Sequence, residues 1–382
     1  MSSEKLFSIN YITNLAVNEI SGGWSGMNHH VYAQLENSFN INLIKSNPPC
    51  FALEKWRSKI SRSAGMKGIF PAFSENRLKK IGNEVSGAIN KKCALNFFHG
   101  STSWLNVRQT QPYALYLDAC FYSYINVYHS PKNFNAGQLN KLFKKETLFL
   151  ENACAVFFSS KWALNDAQLN YKLSGKNLFV AGLGGGMKEN NEKSILKKNY
   201  FLFVGLDFRG KGGLHVFHAF KSLQTKYPDI HLKIVGEAPP KEVLNHSGVF
   251  YEGLIDKSEE TGKIRMQQLY MNAIALLLPT SKDMTPLVLV EAASMGCPSI
   301  TTGVYGIPEI ILGDQTGLII QADRNVPEQL ELAMLYMLEN PEQRNDMGFK
   351  AKQYIKDHFT WERTGSLITE GIKPYLLSQR IV

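Results

Sequence analysis

The chain predicts an α/β architecture of two doubly wound parallel-sheet domains, on three observations. Apolar stretches of strand length alternate with segments of helical periodicity through the 382 residues. The alternation runs twice, on either side of a polar, glycine-rich stretch at 184–199, "GGGMKENNEKSILKKN". Length agrees, at roughly 100–200 residues per domain. With 44% hydrophobic and 20% charged residues, each half can bury its own core.

In the first series "LFSINYI" (6–12) reads as a strand. A glycine-bearing loop follows, "SGGWSG" (21–26), then a helix, "MNHHVYAQLEN" (27–37), with Ser25 placed to cap it. Strands are predicted at "CALNFF" (93–98), "YALYL" (113–117), "ACAVFFSS" (153–160) and "NLFVAGLGGG" (177–186). The second series opens with the buried strand "YFLFVG" (200–205) and the helix "GGLHVFHAFKSLQTKY" (212–227). Further strands are "HLKIVG" (231–236), "VFYEG" (249–253), "IALLLP" (274–279) and "PSITTG" (298–303). Helices are read at 287–296 and at 326–359, the second interrupted near Pro341. Two such series imply two Rossmann-like domains with ligands at the carboxyl ends of the strands, which in a two-domain version means the cleft between them.

Bulk properties narrow the function. The five cysteines are scattered with no CxxC pair, as in a cytosolic protein with reduced thiols. The start "MSSEKLFSINYI" has no signal-peptide pattern, and no apolar run is long enough for a membrane span. A soluble chain, or one bound only at a membrane surface, is expected. No DxD, HExxH, clustered Cys/His or GxSxG occurs, which argues against metal chemistry and a Ser-His-Asp triad. Residues 1–180 hold 20 Lys and Arg against 10 Asp and Glu, whereas the remainder holds 22 against 23. A basic first half favours an acidic substrate, anionic lipid or nucleic acid; a solvated basic surface is the plainer alternative.

Loops that follow strands carry the candidate chemistry. In "TSKDMTPLVLVE" (280–291), Thr285 has the side chain of an N-cap and Pro286 suits the first helical position. The free amides and dipole of such a helix start favour an anion. Asp283 before the helix and Glu291 inside it can face one ligand, and two carboxylates are good acceptors for sugar or ribose hydroxyls. The alternative is a capped helix with a solvated Glu291. "VGLDFRGKGG" (204–213) brings Arg209 and Lys211 into a glycine-rich turn suited to phosphate, or is an ordinary charged turn; it fits neither GxxxxGK[ST] nor GxGxxG. "ISGGWSGMNHH" (20–30) offers Gly22 and Gly23 for close backbone approach, or is a plain loop, with His29 and His30 read as packing or surface residues. Asp118 in "YLDACF" directly follows a strand, where it could orient or deprotonate a hydroxyl, and His99 in "FFHGST" ends the strand before.

Together, "VGLDFRGKGG", "HLKIVGEAPP", "DMTPLVLVEAASMGCPSITTGVYGIPEI" and "GDQTGLII" follow one another in the order of the nucleotide-sugar domain of a GT-B glycosyltransferase. The resemblance is to the large retaining family conventionally numbered 4, the group 1 domain. It covers most of 200–360; the N-terminal half matches more loosely, through the glycine loop, "YLDACF" and "SSKWALNDAQLNY" (159–171). "HFTWERTGSLI" (358–368) resembles the stretch whose last helix crosses back onto the N-terminal domain. The resemblance implies a GT-B fold facing a central cleft, with an acceptor domain of 1–185 plus 365–382 and a nucleotide-sugar domain of 199–360. It maps the E-x7-E motif onto Asp283 and Glu291, with Glu291 on the ribose hydroxyls and Asp283 on the donor sugar. Arg209 and Lys211 would bind the diphosphate, helped by the backbone around Met284, Thr285, Pro286 and Leu287 and by Gly22 and Gly23. It further implies no metal or other cofactor, and retention of configuration through attack on the face the nucleotide leaves.

The chain departs from that pattern. Asp283 stands for the first Glu, and Thr285-Pro286 for an aromatic-Gly pair, which removes one backbone donor. Leu206 stands where an Arg is common, Tyr305-Gly306 replaces Gly-Gly, and a His often found near Asp118 is absent. These mark a subgroup rather than a dead enzyme. The resulting expectation is transfer of a sugar from a nucleotide-diphosphate donor to a glycan or lipid-linked hydroxyl in bacterial surface-polysaccharide or lipopolysaccharide assembly. The setting is the cytoplasm, peripheral on the inner face of the membrane, with no nucleic-acid partner. "LEKWRSKISRSAGMKGIF" (53–70), with Lys55, Trp56, Arg57, Lys59 and Arg62, is the candidate acceptor or membrane patch, or else a solvated helix. The rivals are a GT-B sugar-nucleotide epimerase or phosphorylase and a non-catalytic sugar-nucleotide or glycan binder.

Overall fold

The computed structural model describes residues 5–18, 24–63, 65–185 and 197–378. The chain divides into two compact units, Met1–Leu183 with Trp361–Val382, and Gly184–Thr360. Each is built on one six-stranded sheet, and all its strand pairs are parallel. This is the doubly wound α/β class that the sequence predicts.

The first unit contains β1 (Ser8–Thr13), β2 (Asn40–Lys45), β3 (Leu95–His99), β4 (Tyr113–Leu117), β5 (Ala155–Phe158) and β6 (Leu178–Val180), in the order β2-β1-β3-β4-β5-β6. Its helices are α1 (Met27–Ser38), α2 (Ala52–Ser63), α3 (Glu75–Ala88), α4 (Phe121–Tyr128), α5 (Ala136–Glu151) and α6 (Lys161–Tyr171). Strands β3, β4 and β5 are buried along their whole length, so they read as near-continuous apolar runs. The edge strand β2, "NINLIK", is half-exposed and mixed in polarity, which hides it from a search for such runs.

Several expected boundaries move for local reasons. The strand expected at 153–160 ends at Phe158, and Ser160, still extended at φ −151 and ψ 158, caps α6, its Oγ accepting from the Ala163 amide at 3.1 Å. The strand expected at 177–186 ends at Val180, and Gly182 turns the chain at φ 75. Helix α1 is capped by Gly26 at φ 89 rather than by Ser25, since the residue before the helix sits in the left-handed region that glycine fills without strain.

The second unit contains β7 (Tyr200–Gly205), β8 (His231–Gly236), β9 (Val249–Gly253), β10 (Leu276–Leu278), β11 (Ser299–Thr302) and β12 (Gly317–Ile320), in the order β12-β11-β10-β7-β8-β9. Its helices are α7 (Gly213–Gln224), α8 (Lys241–Leu244), α9 (Glu260–Asn272), α10 (Leu287–Ser294), α11 (Ile307–Ile310), α12 (Val326–Glu339) and α13 (Pro341–His358). Phe201, Phe203, Phe217 and Phe220 form its core with Leu330 and Met334 of α12. Of the expected linker, 186–196 lie outside the described residues. At its far end Lys197 donates to the Met271 and Gly296 carbonyls at 2.8 and 3.2 Å, which ties the entry to β7 into the unit.

The last helix, α14 (Trp361–Ser378), belongs to the first unit and packs on α1 and β5. It starts at Trp361. Trp361 is buried and stacks on His30 at 4.8 Å, an anchor worth about 2–3 kcal/mol of apolar burial. Two glycines permit the approach: a Cβ on Gly365 would lie 2.6 Å from Gln34, and one on Gly371 2.6 Å from Phe157.

Candidate functional site

In the second sheet the strand order reverses between β7 and β10, the two halves winding outward from that pair. Loops at such a reversal splay apart and leave a crevice at the carboxyl ends of the strands. The β7–α7 loop is tightly folded there. Asp207 Oδ1 accepts from the Gly210 amide at 2.7 Å, and Glu237, just past β8, accepts from the Phe208 amide at 2.6 Å. Phe208 plugs the loop into the core against Phe203. Arg209 is left exposed at the loop tip, and Lys211 reaches across the reversal to Asp283, Nζ to Oδ2 at 2.5 Å. Leu206, at the position where the resembled family has an Arg, is 69% exposed.

The β10–α10 loop supplies the acids. Its backbone is propped by Thr302, whose hydroxyl donates to Thr280 O at 2.5 Å, and by the Gly306 amide, which donates to Met284 O at 3.0 Å. Tyr305 holds a left-handed φ of 54, which explains why glycine is usual there, and its OH donates to Ser281 O at 3.0 Å. The expected cap is corrected. Helix α10 begins at Leu287, Pro286 is its N-cap at ψ 109, and no side chain, that of Thr285 included, caps the first turn. The extended ψ of Pro286 shifts the start by one residue, and its carbonyl takes the Leu289 amide at 3.1 Å. The amides of such an uncapped helix start favour an anion.

Glu291 is not solvated. Its side chain is 4% exposed, and it accepts from Lys257 Nζ at 2.6 Å and from Tyr270 OH at 3.1 Å. Burial and the charge of Glu291 push the Tyr270 phenol well up, so it stays a donor. Asp283 and Glu291 therefore each hold a separate lysine. Arg209, Lys211, Asp283, Met284–Leu287 and Glu291 all lie on the carboxyl edge of this sheet; Met284, Thr285 and Leu287 are buried. Lys257 and Tyr270 escape sequence reasoning, because nothing in the spacing of a lone lysine and a helical tyrosine ties them to a glutamate 21 or more residues away.

In the first unit the reversal falls between β1 and β3. His99 ends β3 and is 1% exposed, with Trp24 over its ring at 4.5 Å and Nδ1 3.4 Å from Tyr11 OH. Tyr11 and Thr13 both donate to Asn28 Oδ1 at 3.0 Å. Among the described residues His99 Nε2 has no partner. Burial pushes His99 down to about 3, so near neutral pH it is an uncharged hydrogen-bonding group rather than a proton shuttle. Asp118 lies just past β4, half-buried, on the strand adjacent to β3. His29 and His30 are packing residues, His29 Nδ1 lying 2.7 Å from Val17 O. Gly22 and Gly23 lie outside the described residues.

Glu146 on α5 ties these loops together. It is fully buried and accepts from the Ser101 and Thr102 hydroxyls just after His99, from the Phe121 amide just after Asp118, and from Tyr171 OH. Burial raises its carboxyl above the usual value and these bonds lower it, with burial dominating. A lone Glu in "LFKKETLFLE" gives no hint of this role.

Helix α2 turns Ser58 inward, to Ile69 O at 2.6 Å, and leaves Leu53, Lys55, Trp56, Arg57, Lys59 and Ile60 exposed. Trp56 is 61% exposed; the Arg62 side chain lies outside the described residues. Among the described residues no three His, Cys, Asp or Glu gather as a metal site, and no helix is long and apolar enough to cross a membrane.

Residues 187–354 match the family "Glycosyl transferases group 1". A D-inositol 3-phosphate glycosyltransferase of Arthrobacter sp. is 26% identical over 194 residues, 48% of this chain and 45% of that protein. The capsular polysaccharide biosynthesis glycosyltransferase CapM of Staphylococcus aureus is 20% identical over 263 residues, 61% of this chain and 67% of that one. Matches to the first of these curated relatives span about half of their length. Sucrose-phosphate synthase of Thermosynechococcus elongatus aligns with a TM-score of 0.69 at 16% identity, covering 97% of this chain and 100% of that one. The chain thus carries, over residues 187–354, a domain of the glycosyl transferases group 1 family, within the GT-B fold of two Rossmann-like domains.

Proposed function

We propose that the chain transfers a sugar from a nucleotide-diphosphate sugar to a hydroxyl of a glycan or lipid-linked acceptor, with retention of configuration. The observation that carries this reading is the Lys211–Asp283 pair spanning the β7/β10 reversal, beside exposed Arg209 and the uncapped start of α10. Arg209, Lys211 and the α10 amides take the diphosphate, and Glu291 takes the ribose. Asp283 is drawn from Lys211 to the sugar hydroxyls as the lysine turns to phosphate. The bond from the anomeric carbon to the diphosphate breaks, and its electron pair stays on the phosphate oxygen. The acceptor oxygen bonds to that carbon on the same face, and its proton passes to the departing phosphate. The cations and the helix dipole offset the leaving-group charge, so the reaction needs no metal. Asp118 orients the acceptor hydroxyl, and His99 offers its Nε2 as a neutral contact.

The setting in this reading is bacterial polysaccharide or lipopolysaccharide assembly at the inner face of the membrane, a role consistent with the polysaccharide function in CapM's name. Exposed Trp56, Leu53 and Ile60 interleaved with Lys55, Arg57 and Lys59 support a membrane-surface role for α2. A thermal-shift panel of UDP-, GDP-, ADP- and TDP-sugars tests the donor, since donor binding stabilises the fold. One of them should raise the melting midpoint and release nucleotide only with an acceptor present, with EDTA making no difference. Turnover without acceptor would point to an epimerase, and no shift with any donor would refute the reading.

A further inference from the structure

We propose that Lys257 is a positioning residue for nucleoside recognition, holding the Glu291 carboxylate oriented so that it accepts both hydroxyls of a ribose. The inference rests on the reading of Glu291 as the ribose acceptor and deepens it.

A carboxylate whose side chain is 4% exposed needs a counter-charge and hydrogen-bond donors to offset its lost hydration. Two residues from different elements supply them. Tyr270 of α9, fully buried, donates to Oε2 at 3.1 Å, and Lys257, on the loop between β9 and α9, donates to Oε1 at 2.6 Å. The donors divide one to each oxygen, which fixes the plane of the carboxylate. An ionised carboxylate has about four lone-pair sites. With one taken on each oxygen, each oxygen keeps one free, which matches two neighbouring ribose hydroxyls that each donate one proton.

Lys257 is also the more accessible of the two donors. Its side chain is 22% exposed, and Glu291 is its ion-pair partner among the described residues. The ammonium has three donors and uses one on Glu291. The neighbouring Asp256 is engaged locally, its Oδ1 accepting from the Ser258 amide at 2.8 Å, so it does not compete for the lysine. If the pair served only to pin the β9–α9 loop to α10, its loss would lower stability without changing which sugar is preferred.

The test uses the full chain and calorimetric titration with UDP, GDP and ADP, each against its 2′,3′-dideoxy counterpart. Wild type should bind at least one ribonucleotide about tenfold or more tighter than the dideoxy form. K257M should cut that ratio to about threefold or less, K257R should restore most of it, and K257Q serves if K257M does not fold. E291A separates the two claims. If E291A abolishes the discrimination while K257M and K257Q keep the wild-type ratio, the role of Lys257 is overturned and that of Glu291 stands. If E291A keeps the wild-type ratio, the ribose reading of Glu291 fails and this inference fails with it.

Discussion

Replacing Glu146 tests whether one buried carboxylate holds the loops bearing His99 and Asp118. E146L removes the acceptor of the Ser101, Thr102 and Tyr171 hydroxyls and of the Phe121 amide. A buried donor left unsatisfied costs about 1–3 kcal/mol. The three hydroxyls can rotate toward other acceptors, whereas the amide cannot. With the hydroxyls at the low end of that cost, the four donors lose about 4–6 kcal/mol between them. The variant also ceases to bury a charge, which returns about 2 kcal/mol. The balance is a loss of roughly 2–4 kcal/mol, and E146Q, which keeps one acceptor oxygen, should lose about half as much. A pH arm has a definite sign. Burial holds the folded-state carboxyl above the ordinary 4.5, so over the window from there up to the folded value the folded chain holds a proton the unfolded chain has released. Wild type therefore loses stability as pH rises through that window, and E146Q does not. Urea titration followed by circular dichroism reads both arms. An E146L variant within about 0.5 kcal/mol of wild type would refute the buried-acceptor argument.

Further outcomes follow from the same geometry. Burial pushes His99 from the ordinary 6.5 down to about 3 in the folded chain, so below pH 6.5 only the unfolded chain takes up its proton. Relative to H99N, wild type should lose about 1.4 kcal/mol per pH unit as pH falls from there toward 3, and parallel stability curves would contradict the buried neutral ring. K211A should weaken UDP, GDP or ADP binding by about 10–100-fold while moving the melting midpoint little; unchanged affinity would take the diphosphate away from the β7–α7 loop. Changing Lys55, Arg57 and Lys59 to Gln should lower co-sedimentation with anionic vesicles by about 1 kcal/mol per charge, and unchanged sedimentation would leave α2 a solvated helix.

The fold class was legible because parallel strands covered on both faces must be apolar throughout, as "YFLFVG" and "YALYL" are. Strand β2 was not, since an edge strand with one wet face lacks that run. Residue types suited to phosphate and hydroxyls were legible in "RGK" and "DMTPLVLVE" because strand-end loops must supply such groups locally. The cap at Thr285 was misread, because a Thr-Pro pair fits a helix start in two registers and only the ψ of Pro286 chooses between them.

The sequence by itself determined the two α/β units and which loops carry acids and cations, since these follow from periodicity and strand-end position. Only the tertiary structure decided how those charges are paired. Lys211 meets Asp283 72 residues away, Lys257 meets Glu291 34 residues away, and Glu146 gathers donors from the loop after β3, the start of α4 and the end of α6. Such pairs form where a sheet's strand order brings distant loops to one edge, and burial then makes each unpaired charge too costly to leave alone.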